Sequence, residues 1–127
     1  MGLSKEAEDD RLTRVFSALA DPTRRDVVRR LAAGDATLTD LASAYDVSVQ
    51  AVAKHLKVLE DAGLVRRTRE AQRRPATLNA EVLDLMTAWI ERRRREAEER
   101  YQRLDAVLDQ MAQQEEPPQR RQEGAAS

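Results

Sequence analysis

Residues 48–67 read SVQAVAKHLKVLEDAGLVRR. Val52, Leu56 and Leu59 recur at i, i+4 and i+7, the spacing of one helical face. At about 100° per residue, Gln50, Ala53, Lys54 and Lys57 fall on the other side. Ser48 stands just before the pattern and can cap it, and Gly63 follows where a helix commonly ends in a left-handed residue. An apolar pair, Leu64-Val65, then runs into arginines. The stretch predicts a helix over 49–62 with one face for a core and a second face whose purpose its neighbours must explain.

Upstream, Thr37-Leu38-Thr39-Asp40 has the form of a capping box with Asp in place of Glu. Leu38, Leu41, Ala42 and Tyr45 make the apolar stripe of a short helix, and Asp46-Val47 makes the turn into Ser48. Two short helices joined by such a turn are a helix-turn-helix. Before them, Leu12, Val15, Phe16 and Leu19 mark a first amphipathic helix. In DPTRR at 21–25, Asp21 caps and Pro22 opens a second helix, which carries Val27, Val28 and Leu31 and ends near Gly34.

Downstream, LVRRTR at 64–69 and RRPATL at 73–78 read as two strands of a hairpin, with Pro75 restricting the second to an edge. Asn79 caps a long last helix from about 80 to 113. The predicted fold is mainly α with a small β-hairpin: a winged helix-turn-helix in the order α-α-α-α-β-β-α, spanning 11–113. Residues 1–10 read as a flexible acidic N-terminus and 114–127 as a disordered tail.

Composition agrees with one helical domain. The chain has 127 residues, 35% of them charged and four aromatic. The net charge of −1 is unevenly spread: residues 1–10 carry −3, residues 11–80 carry +5 and residues 81–127 carry −3. Local charge governs binding within a Debye length of about 8–10 Å, so the basic middle can hold a polyanion. Arg66, Arg67, Arg69, Arg73 and Arg74 crowd nine residues beside the helix over 49–62, opposed only by Glu70. Such clustering costs repulsion until an anion arrives, and it suits a wing lying along phosphates or in a minor groove. Gln can bind adenine bidentately in the major groove, Lys can reach guanine or phosphate, and small residues allow close approach. The DNA-facing set is therefore Ser48, Val49, Gln50, Ala51, Ala53, Lys54, His55 and Lys57 on the helix, with Arg67, Arg69, Arg73 and Arg74 on the wing. The partner is double-stranded DNA.

Other classes fit less well. There is no cysteine and one histidine, so no metal site is expected, and His55 reads as a core-edge residue or one near a phosphate. No nucleophile with a base, phosphate loop or carboxylate pair suggests an enzyme. No cofactor is expected. No apolar run approaches a membrane span of about 18 residues, and no signal peptide is legible. A winged helix that serves protein interaction alone is the alternative; the basic wing argues against it.

Residues ALADPTRR, KHLKVLEDAGLV and the wing together resemble the ArsR family of bacterial transcriptional repressors, over roughly residues 11–110. The resemblance implies a homodimer built on the first and last helices, a fourth helix in the major groove, repression of an overlapping promoter, and a bacterial cytoplasmic, nucleoid-associated location. Metal-sensing members carry cysteines on the third helix or His and carboxylate clusters on the last. Here the third helix reads LTDLASAY and the last has no histidine, which resembles the branch that senses no metal and names no effector. Trp89 matches that branch, whereas Glu96 and Ala97 stand where aromatics often fall. The family's usual Ser and Thr on the fourth helix are Ala51 and Ala53.

The last helix supports a dimer by its own pattern. Tyr101, Leu104, Leu108 and Met111 alternate by three and four, as in a coiled-coil seam. The expected interface comprises Leu12, Phe16, Trp89, Tyr101, Leu104 and Leu108. RRRR at 92–95 points around most of the helix, and Glu91–Arg95, Glu96–Arg100 and Glu99–Arg103 are expected i,i+4 pairs.

Overall fold

The computed structural model describes residues 4–67 and 74–115. Its elements are α1 (Lys5–Ala18), α2 (Pro22–Ala33), α3 (Leu38–Ala42), α4 (Val49–Asp61), β1 (Val65–Arg67), β2 (Ala76–Leu78) and α5 (Ala80–Gln114). The described residues fall into two compact units, one running to Ala88 and one beginning at Trp89.

In the first unit, the buried residues are Val15 and Ala18 from α1, Val27 and Leu31 from α2, and Leu41 and Ala42 from α3. Val52, Leu56 and Leu59 come from α4, Ala62 follows it, and Leu64, Val65, Ala76, Val82 and Met86 lie on and around the wing and the start of α5. Among the described residues no polar or charged residue is buried. The core is thus apolar throughout.

The helix ends are well made. The Ser48 Oγ accepts from the Ala51 N–H at 3.1 Å. The Thr37 Oγ1 accepts from the Asp40 N–H while Asp40 accepts from the Thr37 N–H, a reciprocal capping box. Gly63, at φ 83°, closes α4: its N–H donates to the Glu60 carbonyl and the Leu64 N–H donates to the Leu59 carbonyl, both at 3.0 Å. This pair of bonds is a Schellman motif, and a positive φ there favours glycine.

Three features differ from the sequence reading. The acidic stretch read as flexible is helical from Lys5, because Ser4 caps it through the Ala7 N–H. Glu6 and Glu8 then lie in the first turn, where negative charge complements the helix dipole. Secondly, β2 is the edge strand that Pro75 predicts, in a two-stranded sheet, but its free side is covered at one residue. It pairs antiparallel with β1 in the register Val65–Leu78, Arg66–Thr77 and Arg67–Ala76, and on its other side Ala76 exchanges two backbone bonds with Ala36. Pro75 precedes the paired residues, so its missing N–H removes no ladder bond. Thirdly, Asn79 donates its Nδ2–H to the Gly63 carbonyl at 3.1 Å, joining the end of α4 to the start of α5.

The second unit is the remainder of α5, which is helical to Gln114. Ile90, Tyr101, Leu104, Val107, Leu108 and Met111 on it are exposed. Its charged pairs are Glu91–Arg94 and Arg93–Glu96, spaced i,i+3 rather than at the expected i,i+4. Both are solvent-exposed and contribute little, since surface ion pairs are worth about 0–1 kcal/mol. No helix among the described residues is long and apolar enough to cross a membrane. Beyond Glu115, the expected tail lies outside the described residues.

Candidate nucleic-acid interface

The outer face of α4 follows from its inner one. With Val52, Leu56 and Leu59 buried, Gln50, Lys54 and Lys57 are exposed, and Ala51 and Ala53 are half-buried. Val49 is exposed at the first position of the helix. Among the described residues Lys54 makes no hydrogen bond or ion pair. Lys57, by contrast, donates its Nζ–H to Asp61 at 3.1 Å, one turn on.

His55 turns elsewhere. Its Nδ1 lies 3.4 Å from Arg24 Nη1 and 3.8 Å from Asp21 Oδ2. Arg24 also donates its Nε–H to the Ala18 carbonyl at 2.6 Å and its Nη2–H to the Ser17 carbonyl at 3.3 Å, and Arg25 donates to the Leu19 carbonyl at 2.8 Å. The Ala18 and Leu19 carbonyls are among those that a helix C-terminus leaves without partners, whereas the Ser17 carbonyl also accepts from the Ala20 N–H. Asp21 accepts from the Arg24 N–H, which is the first cause holding its carboxyl below the ordinary range. The DPTRR segment is therefore more than a helix start. It fastens α1, α2 and α4 at one corner and so fixes the angle of α4. Sequence reasoning assigned it only the cap.

A second clamp holds α2 to the residues just after α3. The Tyr45 O–H donates to Asp26 Oδ2 at 2.6 Å, Arg29 and Arg30 also bond Asp26, and the Arg30 guanidinium stands 5.4 Å over the Tyr45 ring. The Tyr45 hydroxyl, then Arg29 and Arg30, hold the Asp26 carboxyl well below its ordinary 3.8. Burial, and then Asp26 itself, push Tyr45 up. A carboxyl with a depressed folded pKa stabilises the fold above its unfolded pKa and loses that contribution as pH falls through the folded value. The expected result is that the wild type exceeds Asp26→Asn in urea midpoint by a constant margin above about pH 5, and that the margin shrinks below about pH 4. A margin independent of pH would show that the carboxylate charge is not what holds this clamp.

On the wing, alternation along β1 decides which arginine faces out. Val65 is buried and Arg66 is exposed. Arg67 shares the Val65 face, is half-buried, and its Nε has no hydrogen-bond partner among the described residues. Arg66, which the sequence set omitted, thus presents itself to solvent more fully than Arg67. Period-two counting from Val65 could have found it. Arg74 is exposed. Arg69 and Arg73, like the rest of the hairpin tip, lie outside the described residues.

Of the residues expected at a dimer interface, Leu12 is half-buried and Phe16 is 37% exposed on α1. In the second unit Trp89 is half-buried with the Arg93 guanidinium 5.2 Å over its ring, and Tyr101, Leu104 and Leu108 are exposed.

A helix-turn-helix followed by an antiparallel wing, with an unpaired lysine and an amide on the outer face of its second helix, defines a winged helix-turn-helix of the DNA-binding class. A helix-turn-helix domain family matches residues 19–68. The chain is 44% identical over 85 residues to the HTH-type transcriptional regulator YuzN of Bacillus subtilis (strain 168), spanning 61% of this chain and 92% of that one. It is 33% identical over 79 residues to the transcriptional repressor SdpR of the same organism, spanning 62% of this chain and 88% of that one. Among solved structures, the ArsR family transcriptional regulator RHA00566 superposes with TM-score 0.67 at 34% identity, over 71% of this chain and 93% of that chain. The homodimeric winged helix-turn-helix domain Mb0332 of Mycobacterium bovis, a possible ArsR-family regulator, gives TM-score 0.59 at 27% identity, over 76% and 89%. The chain belongs to the ArsR family, and it is a DNA-binding transcriptional regulator.

Proposed function

We propose that two copies of this chain bind a palindromic operator in the bacterial cytoplasm and repress the promoter it overlaps. Each α4 lies in the major groove. Gln50 and Lys54 reach base edges, the Ser48 end of α4 meets a phosphate, and Lys57 exchanges Asp61 for the backbone. The wing follows the flanking phosphates through Arg66 and Arg74. His55 and Arg67 serve the scaffold in this reading. Leu12 and Phe16 on α1, and separately the stripe of α5, face the second copy. The homodimeric state of Mb0332 and the repressor activity of SdpR support it.

The observation that carries the proposal is the α4 face, where Lys54 is exposed and unpaired beside exposed Gln50. Footprinting on the DNA upstream of the gene tests it, with affinity measured against salt. A protected palindrome and a steep salt slope are expected; no protection, with weak binding that ignores sequence, would favour the protein-interaction alternative. Lys54→Ala is expected to weaken operator binding by about 1–3 kcal/mol while changing random-DNA affinity far less. Equal losses on both would make Lys54 a phosphate contact only.

A further inference from the structure

Two valines stand exposed at the reading end of α4. Val47, in the turn, is 53% exposed, and Val49, the first residue of the helix, is 50% exposed. Val49 lies one turn before half-buried Ala53, and this apolar pair runs alongside the polar pair Gln50 and Lys54. A single exposed valine on a surface means little. Here a stiff β-branched side chain borders the polar face, next to the residues best suited to base edges.

Resting on the DNA-binding reading above, we infer that Val49, with Ala53 beside it, reads the C5 methyl group of a thymine in the major groove. That methyl is the only apolar group any base pair presents there. It therefore fits an apolar knob that no hydrogen-bonding edge would reward. Gln50, adjacent on the same face, offers the amide pair that suits adenine. The half-site consequently contains a T·A pair that Val49 contacts, neighbouring the base pair that Gln50 reads.

The test uses the full chain and duplexes that the wild-type protein selects from a random pool. Each thymine in turn is replaced by deoxyuridine, which keeps every hydrogen-bonding edge and removes only the methyl. One position per half-site is expected to lose about fourfold in affinity, or about 15-fold when both half-sites are substituted. Val49→Ala should lose a similar factor on the thymine duplex and be indifferent to deoxyuridine at that position. Circular dichroism checks that the variant is folded, as its exposure leads one to expect. Wild-type affinity unchanged at every deoxyuridine would overturn the inference while leaving specific DNA binding intact. So would a Val49→Ala protein that remains as sensitive to deoxyuridine as the wild type. Selection that enriches no sequence would remove the inference together with the DNA-binding reading on which it rests.

Discussion

Leu104→Glu is expected to convert the protein to a monomer and abolish operator binding while leaving the winged helix folded. Leu104 is 48% exposed in the single chain, so about half its surface remains to be covered. Losing that burial costs about 1 kcal/mol per copy. The larger effect is the charge: each buried carboxylate without a partner costs several kcal/mol, and a two-fold axis doubles the damage. The combined loss is on the order of 5 kcal/mol or more, which lowers dimer affinity on the order of a thousandfold or more. Operator binding follows because one reading helix makes few base contacts, whereas two on a two-fold axis read half-sites roughly 10 bp or a multiple apart. Sedimentation gives the oligomeric state, gel shift the binding, and circular dichroism the fold. A variant that stays dimeric and binds normally would remove the α5 stripe from the interface and leave α1 as the contact.

The second large effect is on stability. Leu59→Ala should destabilise the first unit by about 2–5 kcal/mol, a large share of the 5–15 kcal/mol typical of a small domain. Leu59 has no exposed surface, and its carbonyl accepts the Leu64 N–H that closes α4. The truncation leaves a cavity under the reading helix. Urea unfolding measures the loss. DNA binding should fail on warming well below the wild-type temperature, yet return to near wild-type affinity in the cold, where the variant is folded, because Leu59 faces away from the proposed DNA surface. A loss under about 1 kcal/mol would mean that the surrounding helices close the cavity and that Leu59 does not anchor α4.

These two outcomes separate the roles of the apolar residues. Leu59 belongs to a period that already points inward within one chain. Leu104 belongs to a period with nothing among the described residues of the second unit buried against it. The same amphipathic pattern therefore has two meanings, and burial in the folded chain tells them apart.

The sequence by itself determined the order of the helices, the caps of α2, α3 and α4, and the outward face of α4. Each of these depends on residues within about one or two turns: Ser48 on Ala51, Thr37 on Asp40, Gly63 on Leu59 and Glu60, and Val52 on Leu56 and Leu59. Spacing of that range is written directly into the order of residues. Only the tertiary structure decided how α4 is aimed. Arg24 reaches His55 across 31 residues, Tyr45 reaches Asp26 across 19, and Asn79 reaches Gly63 across 16. Ala36 pairs with Ala76 on the free side of β2. No periodicity encodes such partners, because each exists only once the helices have packed and brought distant groups within hydrogen-bonding reach of one another.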